Sequence, residues 1–132
     1  MSVEEITKLL SELVEIPSIS SDKAHREDVD SSAQYVENLF AGLGLNTQII
    51  KVAGGKPAVV AQTQIDPSKK TVLLYAHHDV QPVGDISLWE TQPFQPIVKD
   101  GRLFGRGSGD NKAGVVVHYF VVKQLLENLP VN

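Results

Sequence analysis

The chain has 132 residues, of which 42% are apolar and 21% charged, and its formal net charge is −4. That is the size and make-up of one globular domain, and no Lys/Arg-rich block offers a face for nucleic acid. Cysteine is absent, which excludes disulfides, thiolate metal sites and a thiol nucleophile, so any metal must be held by His, Asp or Glu.

The N-terminus, Met1-Ser2-Val3-Glu4-Glu5, is acidic and has no apolar signal core. The longest apolar block, Val115 to Val122, is interrupted by His118 and falls short of the about 20 residues a membrane-spanning helix needs. The expected setting is the cytoplasm, with no membrane partner.

Ser2 opens a first helix, and Glu5 three residues later completes a capping-box pattern. Val3, Ile6, Leu9, Leu10, Leu13 and Ile16 form an apolar stripe at helical spacing, and Pro17 stops it. Glu4-Glu5 reads as charge at a helix N-terminus rather than as a catalytic pair. Ser18 to Lys23 is a polar loop. A second helix is predicted from about Ala24 to Leu43, with Val29, Ala33, Val36, Leu39 and Phe40 on one face and Gly44 as its stop. His25 falls in the polar start of that helix and reads as a surface residue.

Leu45 to Val52 reads as a strand, Gly54-Gly55-Lys56 as a turn, and Pro57 to Ile65 as a second strand. Asp66-Pro67-Ser68 turns the chain into an apolar run, Thr71 to Ala76. That run is short, β-branched and bounded by turn signals, as expected of a strand buried on both faces of a sheet. Two helices followed by three strands predict an α/β fold, with helices packed on a mixed, largely parallel sheet. Trp89 and Phe94 lie in the loop Val83 to Gln95, and are expected to pin it to the core rather than to line a pocket. Asp100-Gly101, between Ile97-Val98-Lys99 and Arg102-Leu103-Phe104, is a strong hairpin signal. Lys112 to Leu129 is ambiguous. Its valines favour strand, but its unbroken length and the face Val115, Tyr119, Val122, Leu126, Leu129 favour a buried helix. His118 in its middle reads as a core or interface histidine.

The chemistry concentrates where these apolar elements end. His77-His78-Asp79 follows the Thr71 run, at the carboxyl end where open α/β sheets bind ligands. Asp110 sits in the glycine-rich turn Gly105-Arg106-Gly107-Ser108-Gly109-Asp110-Asn111-Lys112. A histidine and carboxylates converging at strand ends suit a divalent metal, with zinc, manganese or cobalt as candidates. His77 and Asp79, two residues apart on a strand, point the same way, and His78 points the opposite way. A phosphate cradle is a poor reading of the glycines, because Asp110 takes the place of the last glycine and would repel the anion.

Three motifs carry a family resemblance. Tyr75-Ala76-His77-His78-Asp79-Val80-Gln81-Pro82, then Trp89 with Pro93-Phe94 and Pro96, then the Gly105–Lys112 turn resemble the metal-binding half of the M20 metallopeptidases. In that family the turn is usually followed by glycine, where this chain has Ala113. Val80-Gln81-Pro82 is similar to the dipeptidase branch. The resemblance implies hydrolysis of the amide bond of dipeptides or related small peptides. N-acyl amino-acid deacylation is the alternative within the family. It implies two zinc ions, with His77 as a ligand to one and Asp110 as the carboxylate bridging both. It assigns Asp79 to the catalytic centre as the residue that accepts the other ring N–H of His77 and orients it. It also implies a cis peptide bond at Asp110–Asn111 and a homodimeric parent enzyme.

The family's general-base glutamate and remaining metal ligands lie further along its chains, whereas here the only acidic residue after Asp110 is Glu127. The expectation is that residues 1–132 form the N-terminal part of a catalytic domain, without the lid or dimerisation domain, and that they hydrolyse nothing alone. The competing expectation is a non-catalytic fragment acting as a binding or assembly module through an exposed sheet edge.

Overall fold

The structure, a computed structural model, describes residues 2–128. Three helices and two hairpins follow one another as α1 (Val3–Glu15), α2 (Arg26–Ala41), β1 (Asn46–Ile50), β2 (Ala58–Gln62), β3 (Ile97–Lys99), β4 (Arg102–Phe104) and α3 (Lys112–Asn128). The class is α/β, as expected. α2 lies against the β1–β2 hairpin, and α1 packs on α3. No described helix is long and apolar enough to cross a membrane.

Local sequence signals account for most boundaries. The capping box of α1 is formed: Ser2 Oγ accepts from the Glu5 N–H at 3.2 Å, and the Ser2 N–H donates to Glu5 Oε2 at 2.6 Å. The second helix starts as a single 3-10 turn, Lys23–His25, whose first N–H groups are met by Asp22. Gly44 then turns the chain with φ of +83°, a conformation that favours glycine. The β3–β4 hairpin has the predicted bounds and pairs Lys99 with Arg102 across Asp100-Gly101. The ambiguous last segment is a helix, and its expected final residue, Leu129, lies outside the described residues.

The core is where the three helices meet. Leu13 of α1, Val36 of α2, and Val115, Val116 and Phe120 of α3 form one buried cluster. Phe40, Tyr119 and Phe120 add edge-to-face ring contacts, with centroids 6.1 and 5.1 Å apart. Tyr35 bridges two helices, donating to Glu12 Oε2 at 2.5 Å.

The Thr71 to Ala76 run departs from the prediction. It forms no ladder among the described residues, and Leu73 and Tyr75 are 89% and 78% exposed. Both described ladders are antiparallel, and parallel pairing is confined to one bridge, Ile19 with Val80. The physical reason is that a doubly buried strand needs neighbours on both edges and cover on both faces. Here only its carboxyl end is held, through Ala76 against the core cluster and Val80 against Ile19. An apolar run encodes a demand for burial, and the described residues meet it at one end only.

Leu13 is fully buried at the α1–α3 contact. Leu13→Ala should therefore lower unfolding free energy by about 3 kcal/mol in urea titrations. Tyr35→Phe removes one interhelical hydrogen bond and should cost about 1 kcal/mol. Burial, and then the Glu12 carboxylate, raise the Tyr35 hydroxyl above the ordinary tyrosine range. A raised pKa stabilises the fold fully below pH about 10 and less as pH climbs beyond it. The alkaline fall in stability should thus be shallower in Tyr35→Phe than in the parent.

Candidate metal centre

The loop after α1 holds the segment that carries the histidines. Val80 donates its N–H to Ser18 O at 2.9 Å, and Ser18 Oγ donates to His78 O at 2.8 Å. Ser18 and Ser32 are both fully buried. The His78 ring turns inward, with Nδ1 3.1 Å from Ser32 Oγ and Nε2 3.3 Å from Pro57 O. A carbonyl only accepts, so Nε2 carries the proton, and the Ser32 hydroxyl, which donates to His78 O at 3.2 Å, lies beside the unprotonated Nδ1. Burial lowers the pKa of this ring and favours the neutral form that such a pattern needs. His78 thus ties α2 to the start of β2, and its neighbour is left to face the other way.

His77 faces Asp79 and Asp110. Its Nδ1 lies 3.1 Å from Asp79 O and 3.2 Å from Asp79 Oδ1, so that nitrogen donates. Its Nε2 lies 3.2 Å from Asp110 Oδ1, across 33 positions of sequence. With the proton on Nδ1, Nε2 directs a lone pair at a carboxylate oxygen, and either a proton or a metal cation between them relieves the repulsion. Two ligands at ~2.0–2.2 Å from one zinc in a tetrahedral array stand about 3.4 Å apart, close to the spacing observed. The Asp110 side chain is 91% exposed, so its second oxygen is open to a further ligand. The donor set fits a divalent metal as part of a site. Among the described residues, no group of three or more His, Asp or Glu side chains completes one.

The loop that delivers Asp110 is built by close approach. Gly107 has φ of +90°, and a Cβ there would stand 2.6 Å from Val80 Cγ1. A Cβ on Gly105 would stand 2.5 Å from Val14 Cγ1. The Asp110–Asn111 peptide bond is cis. Two residues past Asp110, the fully buried Lys112 donates from Nζ to Leu13 O at 2.7 Å and to Ile16 O at 2.6 Å. These are carbonyls at the C-terminal end of α1, where a cation also complements the helix dipole. Burial lowers the lysine to about 8, and the Asp79 carboxylate opposes that shift.

The remaining sequence candidates lie elsewhere. His25 is half-buried and pairs through Nδ1 with Asp28 at 2.7 Å. His118 is half-buried in α3. Trp89 donates from Nε1 to Val83 O at 2.9 Å, which ties it to the start of its own loop. Sequence reasoning missed Lys112 and Arg106 as structural anchors. A lysine opening the apolar first half of α3 was the available signal for the first.

Residues 73–132 match the model for peptidase family M20/M25/M40. Over that stretch the chain is similar to this family. The Cys-Gly metallodipeptidase dug1 of Schizosaccharomyces pombe is 36% identical over 142 residues, covering 98% of this chain and 30% of that protein. The Beta-Ala-His dipeptidase of Rattus norvegicus is 32% identical, covering 99% of this chain and 26% of its own length. The M20 family metallo-carboxypeptidase Sso-CP2 from Sulfolobus solfataricus superposes with a TM-score of 0.82 at 36% identity, over 96% of this chain and 28% of that one. The chain therefore spans less than a third of the length of these relatives.

Gly107→Ala places a methyl group against Val80 in a backbone conformation that L side chains avoid. It should lower stability by about 1–3 kcal/mol in chemical denaturation. Gly109→Ala, where a Cβ meets no atom within 4 Å, should cost clearly less.

Proposed function

We propose that this chain contributes part of a dinuclear metal centre that hydrolyses the amide bond of dipeptides or related small peptides. The observation that carries the reading is the approach of His77 Nε2 to Asp110 Oδ1 at 3.2 Å, with Nδ1 already engaged by Asp79. Similarity to metallodipeptidases over almost the whole chain supports the substrate class.

In this reading His77 would hold one metal through Nε2, and the Asp110 carboxylate would be the ligand shared by the pair. Asp79 fixes the His77 tautomer and makes the ring a better donor. Zinc suits this nitrogen-and-oxygen set, and manganese and cobalt fit it as well. The bound metals would supply Lewis-acid polarisation of the scissile carbonyl and activation of water. A catalytic zinc usually takes three protein ligands, so His77 and Asp110 would not by themselves complete the coordination of either ion. The 132-residue chain alone is accordingly inactive and binds zinc weakly.

Competition titration against a chromophoric chelator tests the ligand assignment. His77→Ala and Asp110→Asn should abolish the weak zinc binding of the chain, and Asp79→Asn should weaken it about 10–100-fold. Retention of wild-type affinity by His77→Ala would remove the reading. In a full-length protein carrying this segment, Cys-Gly and β-Ala-His should be cleaved in preference to N-succinyl and N-acetyl amino acids. The reverse preference would move the activity to deacylation.

A further inference from the structure

The three sequence motifs converge on one side chain that the metal reading leaves without a role. The Arg106 backbone N–H donates to Pro93 O at 2.7 Å. Its Nη2 donates to Pro82 O at 2.9 Å. Its guanidinium carbon lies 5.2 Å from the centroid of the Trp89 ring, which is within cation–π range. Trp89 is in turn anchored to Val83 O, one residue beyond Pro82. Arg106 therefore grips the segment leaving Asp79, the loop from Trp89 to Pro93, and the glycine-rich turn four residues before Asp110.

The arrangement is not that of a solvated surface arginine. Its Nε is buried and has no hydrogen-bond partner among the described residues. Leaving a donor of a cation dry is unfavourable, so the stack on Trp89 and the bond to Pro82 must outweigh that cost. The turn it braces needs a brace. Gly107 and Gly109 flank Ser108, and glycine brings the largest backbone freedom to be lost on ordering. Without a fixed point at Arg106, the exposed Asp110 carboxylate would sample many positions relative to His77. Lys112 fixes the turn on its far side, and Arg106 fixes it on the near side.

We propose that Arg106 is a positioning residue for the His77–Asp110 pair, and that it couples the Trp89 ring to metal loading at that pair. The proposal rests on the metal-centre reading above. A lysine would not substitute, because an ammonium offers neither a flat face for the indole nor a fixed fork toward Pro82.

Trp89 is the single tryptophan of the chain, so its emission reports on this contact alone. The test uses the 132-residue chain, zinc as the probe, and two readouts, chelator competition and tryptophan emission. In the wild type, zinc should bind and shift or quench Trp89 emission with the same midpoint as the competition curve. Arg106→Met should bind zinc about tenfold more weakly, and its emission should no longer respond to zinc. Arg106→Lys should fall between the two. Far-UV circular dichroism and the urea midpoint show whether each variant is folded. If Arg106→Met is unfolded, Arg106→Lys decides. Wild-type affinity with a wild-type emission response, in a folded variant, overturns the coupling while leaving the metal centre intact. A wild type that takes up no zinc even when the metal is in large excess overturns the metal centre and the coupling together.

Discussion

Much of this structure depends on a buried ammonium group. Lys112 Nζ sits between two carbonyls at the end of α1, with no exposed surface of its own. A charge in that place is unfavourable unless it is well bonded, and the two carbonyls satisfy it where the helix dipole is most negative. The bond joins the first helix to the start of the third across almost the whole described chain. It thereby sets where the glycine-rich turn ends, and Asp110 lies two residues away. The helical core is equally long-range: Leu13 meets Val115, Val116 and Phe120 in the cluster that α1 and α3 share.

From that anchor the candidate centre follows by constraint. One side of it is the segment His77–Val80, held by Ser18 and by the single parallel bridge to Ile19. The other is the turn that packs so closely on Val80 that only glycine fits at 107. Adjacent histidines divide the work. His78 is turned inward to Ser32 and Pro57, and His77 is turned outward to two carboxylates. The backbone alternation of an extended segment makes that division automatic.

The parts legible in the sequence are those written locally. The Ser2/Glu5 cap, the Gly44 stop, the Asp100-Gly101 turn and the length of α3 each depend on a few neighbouring residues. The approach of His77 and Asp110 was legible only through the family resemblance, because no local signal brings residues 33 positions apart together. The Thr71 to Ala76 run was misjudged for a related reason. Its composition states what surroundings it needs, and composition cannot state which polypeptide provides them. Arg106 and Lys112 were hidden because arginine and lysine are usually solvated. Their anchoring roles emerge from carbonyl geometry, of which the sequence carries only the placement of Lys112 ahead of an apolar run.

The turn at Asp100-Gly101 has a bearing on the order of assembly. Both residues have positive φ, 52° and 72°, and so match the primed turn whose twist suits two right-handed strands. Closing this ribbon therefore requires no distant residue, and isolated hairpins of this kind form in about 1–10 μs. The metal-facing turn begins immediately after it, at Gly105. Asp110 is thus tethered to a locally encoded stem, and the search that remains is for how that stem docks on the helices, which such a short ribbon needs for its stability.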